Sequence, residues 1–170
     1  DVYKRQELQF DKTDQSMMEV LQMQKNEANQ LFSKYVAKNY SNWFNHKGPL
    51  MSHQLLKEKV FPKLDSSSTF LIVIDNLRYD QWQIIKPLLM DNFTSNEELL
   101  YYSILPTATQ YARNALFAGL LPLEIKKRFP SKWKNEDDQG SKNNYEHDFL
   151  EDNLLSCLLY TSDAADDDAC

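Results

Sequence analysis

The stretch FLIVIDNLRYDQW, Phe70 to Trp82, decides how the chain is interpreted. Together with Thr69, its apolar run from Phe70 to Ile74 is short and continuous, so residues 69–74 are predicted to form a central β-strand covered on both faces. The run ends at the carboxylate of Asp75. Further polar side chains follow closely, at Asn76, Arg78 and Asp80. Because open α/β sheets bind ligands beyond the carboxyl ends of their strands, this polar tip is a candidate site.

Helix and strand signals alternate on the C-terminal side of this stretch. A helix is predicted from about Tyr79 to Asn92, and a second strand from Leu99 to Leu105. The next helix is predicted from Thr109 to Ala118, closed by Gly119, and Pro122 begins another short helix. Strand-helix-strand-helix order predicts an α/β fold with a parallel sheet.

The N-terminal side is predicted to be helical. From Ser16 to Phe44 the apolar residues recur at helical spacing, without an intervening Gly or Pro. Gly48-Pro49 breaks this helix. Ser52 is the predicted N-cap of a second helix, from Gln54 to about Leu64. Residues 7–66 are therefore interpreted as a helical linker or bundle that precedes the α/β part.

The composition narrows the class of protein. Of the 170 residues, 42% are hydrophobic and 26% are charged, with a formal net charge of -6. These values argue against a disordered chain and against a general nucleic-acid binder. No apolar run approaches the roughly 20 residues that span a bilayer, so we expect a cytoplasmic protein without membrane insertion. The cysteines are Cys157 and Cys170, so no disulfide framework is predicted for the core.

Two threonines, Thr107 and Thr109, follow the second predicted strand. If the two strands are neighbours, Asp75 and a threonine face each other. A threonine hydroxyl is a weak nucleophile, but a divalent metal held by carboxylates favours its alkoxide, and zinc or manganese suits such ligands. Local spacing also permits simpler roles, with Asp75 and Thr109 as helix caps and Arg78 with Asp80 as a surface ion pair.

The two stretches FLIVIDNLRYDQW and YYSILPTATQYARNALFAGLLP together resemble the opening of a PglZ domain, in the alkaline phosphatase superfamily. Nucleotide pyrophosphatases of that superfamily carry D-G-x-R-x-D at the first strand tip, which the segment starting at Asp75 approaches. They also separate the nucleophile from a glycine by the interval that runs here from Thr109 to Gly119. The resemblance therefore implies Thr109 as nucleophile and metal ligand, Asp75 as metal ligand, and zinc as the metal, with manganese and Thr107 as alternatives.

The match to this motif is incomplete at the phosphate-binding position. Tyr111 and Ala112 stand where the superfamily has Pro-Asn, so the usual phosphate-binding asparagine is missing. Substrate contacts are instead predicted for four polar residues, namely Asn76, Arg78, Arg113 and Asn114.

The preceding segment, from Met18 to Asp65, is similar to the PorX family of response regulators. That resemblance implies a receiver domain, a middle helical bundle and a C-terminal PglZ domain. It further implies zinc-dependent phosphodiesterase chemistry, with oligonucleotides as a substrate class, and regulation of type IX secretion. The partners that it implies are a sensor histidine kinase, a sigma factor and a second copy of the protein.

Both ends of the sequence resemble translated sequencing adaptor, at residues 1–6 and 156–170, which leaves 67–155 as a partial PglZ domain. The histidines are His46, His53 and His147, and none of them is assigned as a ligand. We therefore expect these 170 residues to carry part of a metal site and to be inactive alone. The alternative function is a non-catalytic regulatory module that binds a protein partner. A purely structural α/β fragment is a third option, against which the pairing of Asp75 with Thr109 argues.

Overall fold

The computed structural model describes residues 15–45, 48–64 and 68–166. Residues 1–6, His46 and the end of the 156–170 segment, from 167 onward, lie outside the described residues. The helices are α1 Gln15–Asn39, α2 Ser52–Leu55, α3 Tyr79–Met90, α4 Thr109–Ala118, α5 Pro122–Arg128 and α6 Glu146–Asp166. Two compact units divide the chain: Asp1–Gly48 with Leu71–Glu98, and Pro49–Phe70 with Leu99–Cys170.

In the first unit, α1 continues into a 3-10 turn over Tyr40–Phe44, which confirms the predicted N-terminal helix. Trp43 is the buried residue of this turn, at 6% exposure. The rings of Tyr35 and Tyr40 both lie 5.8 Å from the Trp43 ring, measured between centroids. Gly48 follows closely, and a Cβ at this position would lie 2.1 Å from the Trp43 carbonyl oxygen. The tight approach therefore requires glycine.

The first unit also contains α3, close to its predicted bounds. Its N-cap is Arg78, whose backbone N–H donates to Gln81 Oε1 at 3.0 Å. Asp80 lies in the first turn, where the helix dipole favours a negative charge. Leu88 and Ile84 on this helix are well exposed, at 68% and 58%.

The second unit has a helical core around α4, which contacts α2, α5 and α6. The most deeply buried large side chains are Met51, Leu56, Ile104, Ile125 and Phe149. The Phe149 ring on α6 packs 5.1 Å from that of Phe129. The burial of these apolar groups is the main stabilising contribution in such a small core.

The bounds of α4 agree with the sequence prediction. The helix runs from Thr109 to Ala118, and Gly119 follows in the left-handed conformation with φ of 63°. The Gly119 N–H donates to the Ala115 carbonyl at 3.0 Å. Asn153 on α6 supports the same end, because its Nδ2 donates to the Phe117 carbonyl at 3.0 Å. A glycine cap is therefore confirmed.

The start of α2 differs from the prediction. The N-cap is Met51 rather than Ser52, and the Met51 N–H donates to Gln54 Oε1 at 3.0 Å. Ser52 is the first helical residue and is buried, at 2% exposure. Its Oγ accepts a hydrogen bond from the Ile104 N–H at 3.2 Å, which links two residues that are far apart in the sequence. The chain continues from α2 into a π-helical turn, Leu56–Val60, and then into a 3-10 turn, Phe61–Lys63.

The predicted α/β fold with a parallel sheet is wrong. The described part of the chain is helical and contains no strand. Residues 71–74 have no regular secondary structure and are exposed, with Ile72 at 78%. Over 99–105 there is a single parallel bridge, between Met51 and Tyr102. A strand needs a neighbouring strand for its N–H and C=O groups, whereas a helix satisfies them internally, and the described residues supply no such neighbour.

Candidate active site

Thr109 occupies the first position of α4, on the surface of the second unit. The N-cap is Ala108, whose carbonyl accepts hydrogen bonds from the N–H groups of Tyr111 and Ala112, each at 2.9 Å. No side chain caps this helix end. Thr109 is therefore not an ordinary N-cap, which removes the simpler role that its spacing had permitted.

The first turn of α4 suits a negatively charged group. The first N–H groups of a helix lack partners within it, and the helix dipole adds partial positive charge at the same end. Phosphate groups bind at such helix ends. Thr107 is also exposed but lies two residues before the helix, outside this arrangement. Thr109 therefore lies at this helix end and Thr107 does not, and the choice between them as the nucleophile stays a prediction.

Arg113 and Asn114, the predicted substrate contacts on α4, bond to other parts of the second unit. Arg113 Nη2 pairs with Glu146 Oε2 on α6 at 2.5 Å. Asn114 is buried, at 3% exposure, and its Nδ2 donates to the Lys142 carbonyl at 3.1 Å. The Asn114 Oδ1 accepts from Asn143 Nδ2 at 3.0 Å. These contacts hold α4 in place, and a role in substrate binding remains a prediction.

Asn143 was not identified from the sequence. It is half-buried, and its Nδ2 also donates to the carbonyl oxygen of Thr109 at 3.2 Å. It lies in a polar segment that carries ordinary loop signals, 34 residues after Thr109. No local periodicity or motif links residues that far apart.

Asp75 lies in the first unit, in an exposed turn that precedes α3. Its Oδ1 accepts a hydrogen bond from the Asn76 N–H at 2.9 Å, and Asn76 has a left-handed φ of 59°. Asparagine is one of the few residues apart from glycine that adopts this conformation readily. The N-cap of α3 is Arg78, so Asp75 does not cap that helix, as one alternative had suggested.

Arg78 and Asp80 form a local ion pair. The Nε–Oδ1 distance is 3.0 Å and the Nη2–Oδ2 distance is 3.1 Å. The hydrogen bonds from Arg78 lower the pKa of Asp80, and the same pair raises the pKa of Arg78. The Arg78 side chain is 68% exposed. This agrees with the interpretation as a surface pair, and the role of Arg78 and Asn76 in substrate binding stays a prediction.

The described residues do not form a complete metal site. Across residues 15–45, 48–64 and 68–166, no three His, Cys, Asp or Glu side chains are grouped to hold a metal ion. Carboxylate and hydroxyl oxygens suit zinc or manganese by type, but zinc sites take three or four protein ligands. Asp75 and Thr109 would supply two, and they belong to different units. Their pairing around a metal therefore remains a prediction.

The described histidines have different environments. Burial lowers the pKa of His53 on α2, against the opposing effect of Glu124 and Glu58. His147, near the start of α6, is exposed. Neither lies in a metal-binding cluster within the described part of the chain.

A family model described as the BREX system PglZ alkaline phosphatase-like domain matches residues 55–158, more than half of the chain. The chain belongs to the PglZ family. The candidate residues Asp75 and Thr109 both fall within this PglZ region. A second model, the PorX response regulator linker domain, matches residues 1–44. The resemblance to a PorX-type regulator with a PglZ domain is confirmed.

None of the curated proteins searched matches the chain. The linker match places the chain among response regulators, which act with two-component partners. The alkaline phosphatase-like superfamily of the PglZ region is generally metal-dependent. Among the described helices, none combines the length and the apolar character that crossing a membrane requires.

Proposed function

We propose that this chain contributes the PglZ region of a PorX-type response regulator with metal-dependent phosphodiesterase or phosphatase activity. Thr109 is the proposed nucleophile and a metal ligand, and Asp75 is a further metal ligand. The observation that carries the proposal is the position of Thr109 as an exposed first residue of α4, without a capping side chain. The family match supports the choice of chemistry.

In the proposed reaction, Thr109 Oγ1 forms a bond to phosphorus while the bond from phosphorus to the leaving oxygen breaks. The hydroxyl proton passes to a base, and the leaving oxygen takes up a proton. The phosphothreonine that results from a phosphodiester still carries the second ester group. Water then hydrolyses the bond from phosphorus to Thr109 Oγ1, which releases the phosphomonoester and restores the threonine. The first turn of α4 binds a phosphoryl oxygen through its N–H groups. Zinc or manganese would favour the alkoxide of Thr109, with ligands in addition to the two proposed residues.

The substrate class and the biological setting are part of the same proposal. A phosphodiester such as an oligonucleotide is the proposed substrate, and regulation of type IX secretion is the proposed role. A sensor histidine kinase, a sigma factor and a second copy of the protein are the proposed partners. The linker match over residues 1–44 supports this setting.

The test compares variants of the full-length natural protein that carries this PglZ region, supplied with zinc or manganese. The probe is an aryl phosphodiester, and acid-quenched protein is analysed at residue 109 for the phosphothreonine that keeps the probe's remaining ester group. Thr109→Val should reduce turnover by at least about a thousand-fold, because it removes the nucleophile. Thr107→Val is the matched control and should retain turnover. A Thr109→Val protein that still turns over the probe would reject the proposal.

A non-catalytic regulatory module is the second candidate function. The observation in its favour is the apolar surface of α1, where Met23, Leu31 and Phe32 are 68%, 60% and 52% exposed. Exposed apolar side chains mark a protein-binding surface where they form a contiguous patch. Under this function the unsubstituted protein should lack turnover of the aryl phosphodiester with either metal, while substitutions on α1 weaken partner binding.

A further inference from the structure

The segment between α5 and α6 folds around a lysine ammonium. Lys142 Nζ donates to the carbonyl oxygens of Asn135 at 2.5 Å and Glu136 at 2.9 Å, and also to that of Asp138. The Asn135 N–H and Nδ2 both donate to Asp138 Oδ2, at 2.5 and 3.2 Å. The charge-assisted bonds from Lys142 therefore give an otherwise irregular loop a defined shape.

The end of this loop bonds to the middle of α4 and to its first residue. The Lys142 carbonyl accepts from Asn114 Nδ2, and the adjacent Asn143 donates to Asn114 Oδ1. Both polar ends of the buried Asn114 amide are thereby satisfied, which favours one arrangement of loop and helix. From this position, Asn143 Nδ2 also reaches the Thr109 carbonyl at 3.2 Å.

We infer that Asn143 is a positioning residue for the Thr109 nucleophile, with the Lys142 ammonium holding the loop that presents it. This inference rests on the proposed function. The bond from Asn143 fixes the peptide group of Thr109, and thus the orientation of the first turn from which the hydroxyl and N–H groups project. Neither side chain touches a substrate in this role. Misplacing a reacting group by about 1 Å can cost about a hundred-fold in rate.

The first test measures the rate and the amount of this ester-bearing phosphothreonine formed in a single turnover of the aryl phosphodiester, and steady-state turnover gives KM. It uses the same natural protein and metal as above. Asn143→Ala should form the full amount of phosphothreonine about ten- to a hundred-fold more slowly, with KM nearly unchanged. Asn144→Ala is the matched control, since Asn144 is the exposed neighbour, and it should react at the unsubstituted rate.

Two further substitutions at Asn143 separate positioning from folding. Asn143→Asp cannot donate a hydrogen bond and should be slowed like Asn143→Ala. Asn143→His offers its Nδ1–H at a similar distance from the backbone and should recover much of the rate. Lys142→Met should also slow the reaction, by a smaller factor than Asn143→Ala. Circular dichroism confirms that each variant is folded at the assay temperature.

The outcomes are distinguishable. If the unsubstituted protein and Thr109→Val are equally active or equally inactive, the proposed function fails, and the positioning role fails with it. If only Thr109→Val is inactive while Asn143→Ala and Asn143→Asp react at the unsubstituted rate, the positioning inference alone is overturned. A reduced amount of phosphothreonine that forms at an unchanged rate assigns Asn143 a purely structural role, which also overturns it.

Discussion

The segments that precede the two candidate residues have similar apolar sequences but different environments. Before Thr109, Tyr102 exchanges backbone hydrogen bonds with Leu50 and Ser52, each at 2.8 Å, and Ile104 is 1% exposed. Before Asp75, Ile72 and Ile74 are 78% and 59% exposed. Thr109 is therefore supported by a packed unit, whereas the run that leads to Asp75 is exposed and has no regular secondary structure. An apolar pattern alone did not distinguish these cases.

The largest expected effect comes from the core of the second unit. Phe149→Ala should lower the free energy of unfolding by about 3–5 kcal/mol, because it removes a buried aromatic side chain. Ile72→Ala in the first unit is the matched test and should change stability by less than about 0.5 kcal/mol, because its side chain is already exposed. Urea unfolding followed by fluorescence measures both. A similar loss for the two variants would contradict the difference between the segments.

A smaller effect is expected where the segment before Thr109 is held. Ser52→Ala removes the hydroxyl that accepts a hydrogen bond from the buried Ile104 N–H. Stability should fall by about 1–3 kcal/mol, since a buried donor loses its partner. Ser131→Ala, at an exposed position of the same unit, is the control. Urea unfolding midpoints that remain equal for the two variants would show that this bond contributes little.

A pH effect should also be specific to the second unit. Burial lowers the pKa of His53 below its ordinary value of 6.5, so the folded state binds fewer protons than the unfolded state in this range. Above about pH 6.5 the neutral form of His53 prevails and folding carries no cost from its protonation. As the pH falls towards the folded pKa, the unfolded state takes up the proton first, and the free energy of unfolding decreases. Thermal unfolding midpoints should therefore decrease from about pH 7.5 to about pH 5.5. His53→Gln should flatten this profile, whereas His147→Gln should leave it unchanged.

The smallest effect is expected at the ion pair of the first unit. Arg78→Ala should leave the urea unfolding midpoint unchanged, because exposed pairs contribute little. Arg113→Ala in the second unit should lower the midpoint, since the partner Glu146 side chain is only 17% exposed. Equal midpoints for the two variants would remove this contrast. A lower midpoint for Arg78→Ala alone would reverse it.

Local signals in the sequence predicted several helices well. The exact span of α4, its Gly119 cap and the start of α5 at Pro122 followed from short-range rules. The predicted strands at 69–74 and 99–105 were wrong, because strand formation depends on partners distant in sequence. The same limit applies to the site: Thr109 was identified by its motif, whereas Asn143 is separated from it by 34 residues.

The sequence by itself determined the family, the helix that starts at Thr109 and the chemistry of the residues to examine. Capping, glycine conformation and motif spacing act over a few residues, so they can be recognised along the chain. Only the tertiary structure decided which apolar segments are buried, that Ala108 rather than Thr109 caps α4, and that Asn143 bonds to the Thr109 carbonyl. Those features depend on the packing of distant segments, which local sequence patterns do not encode.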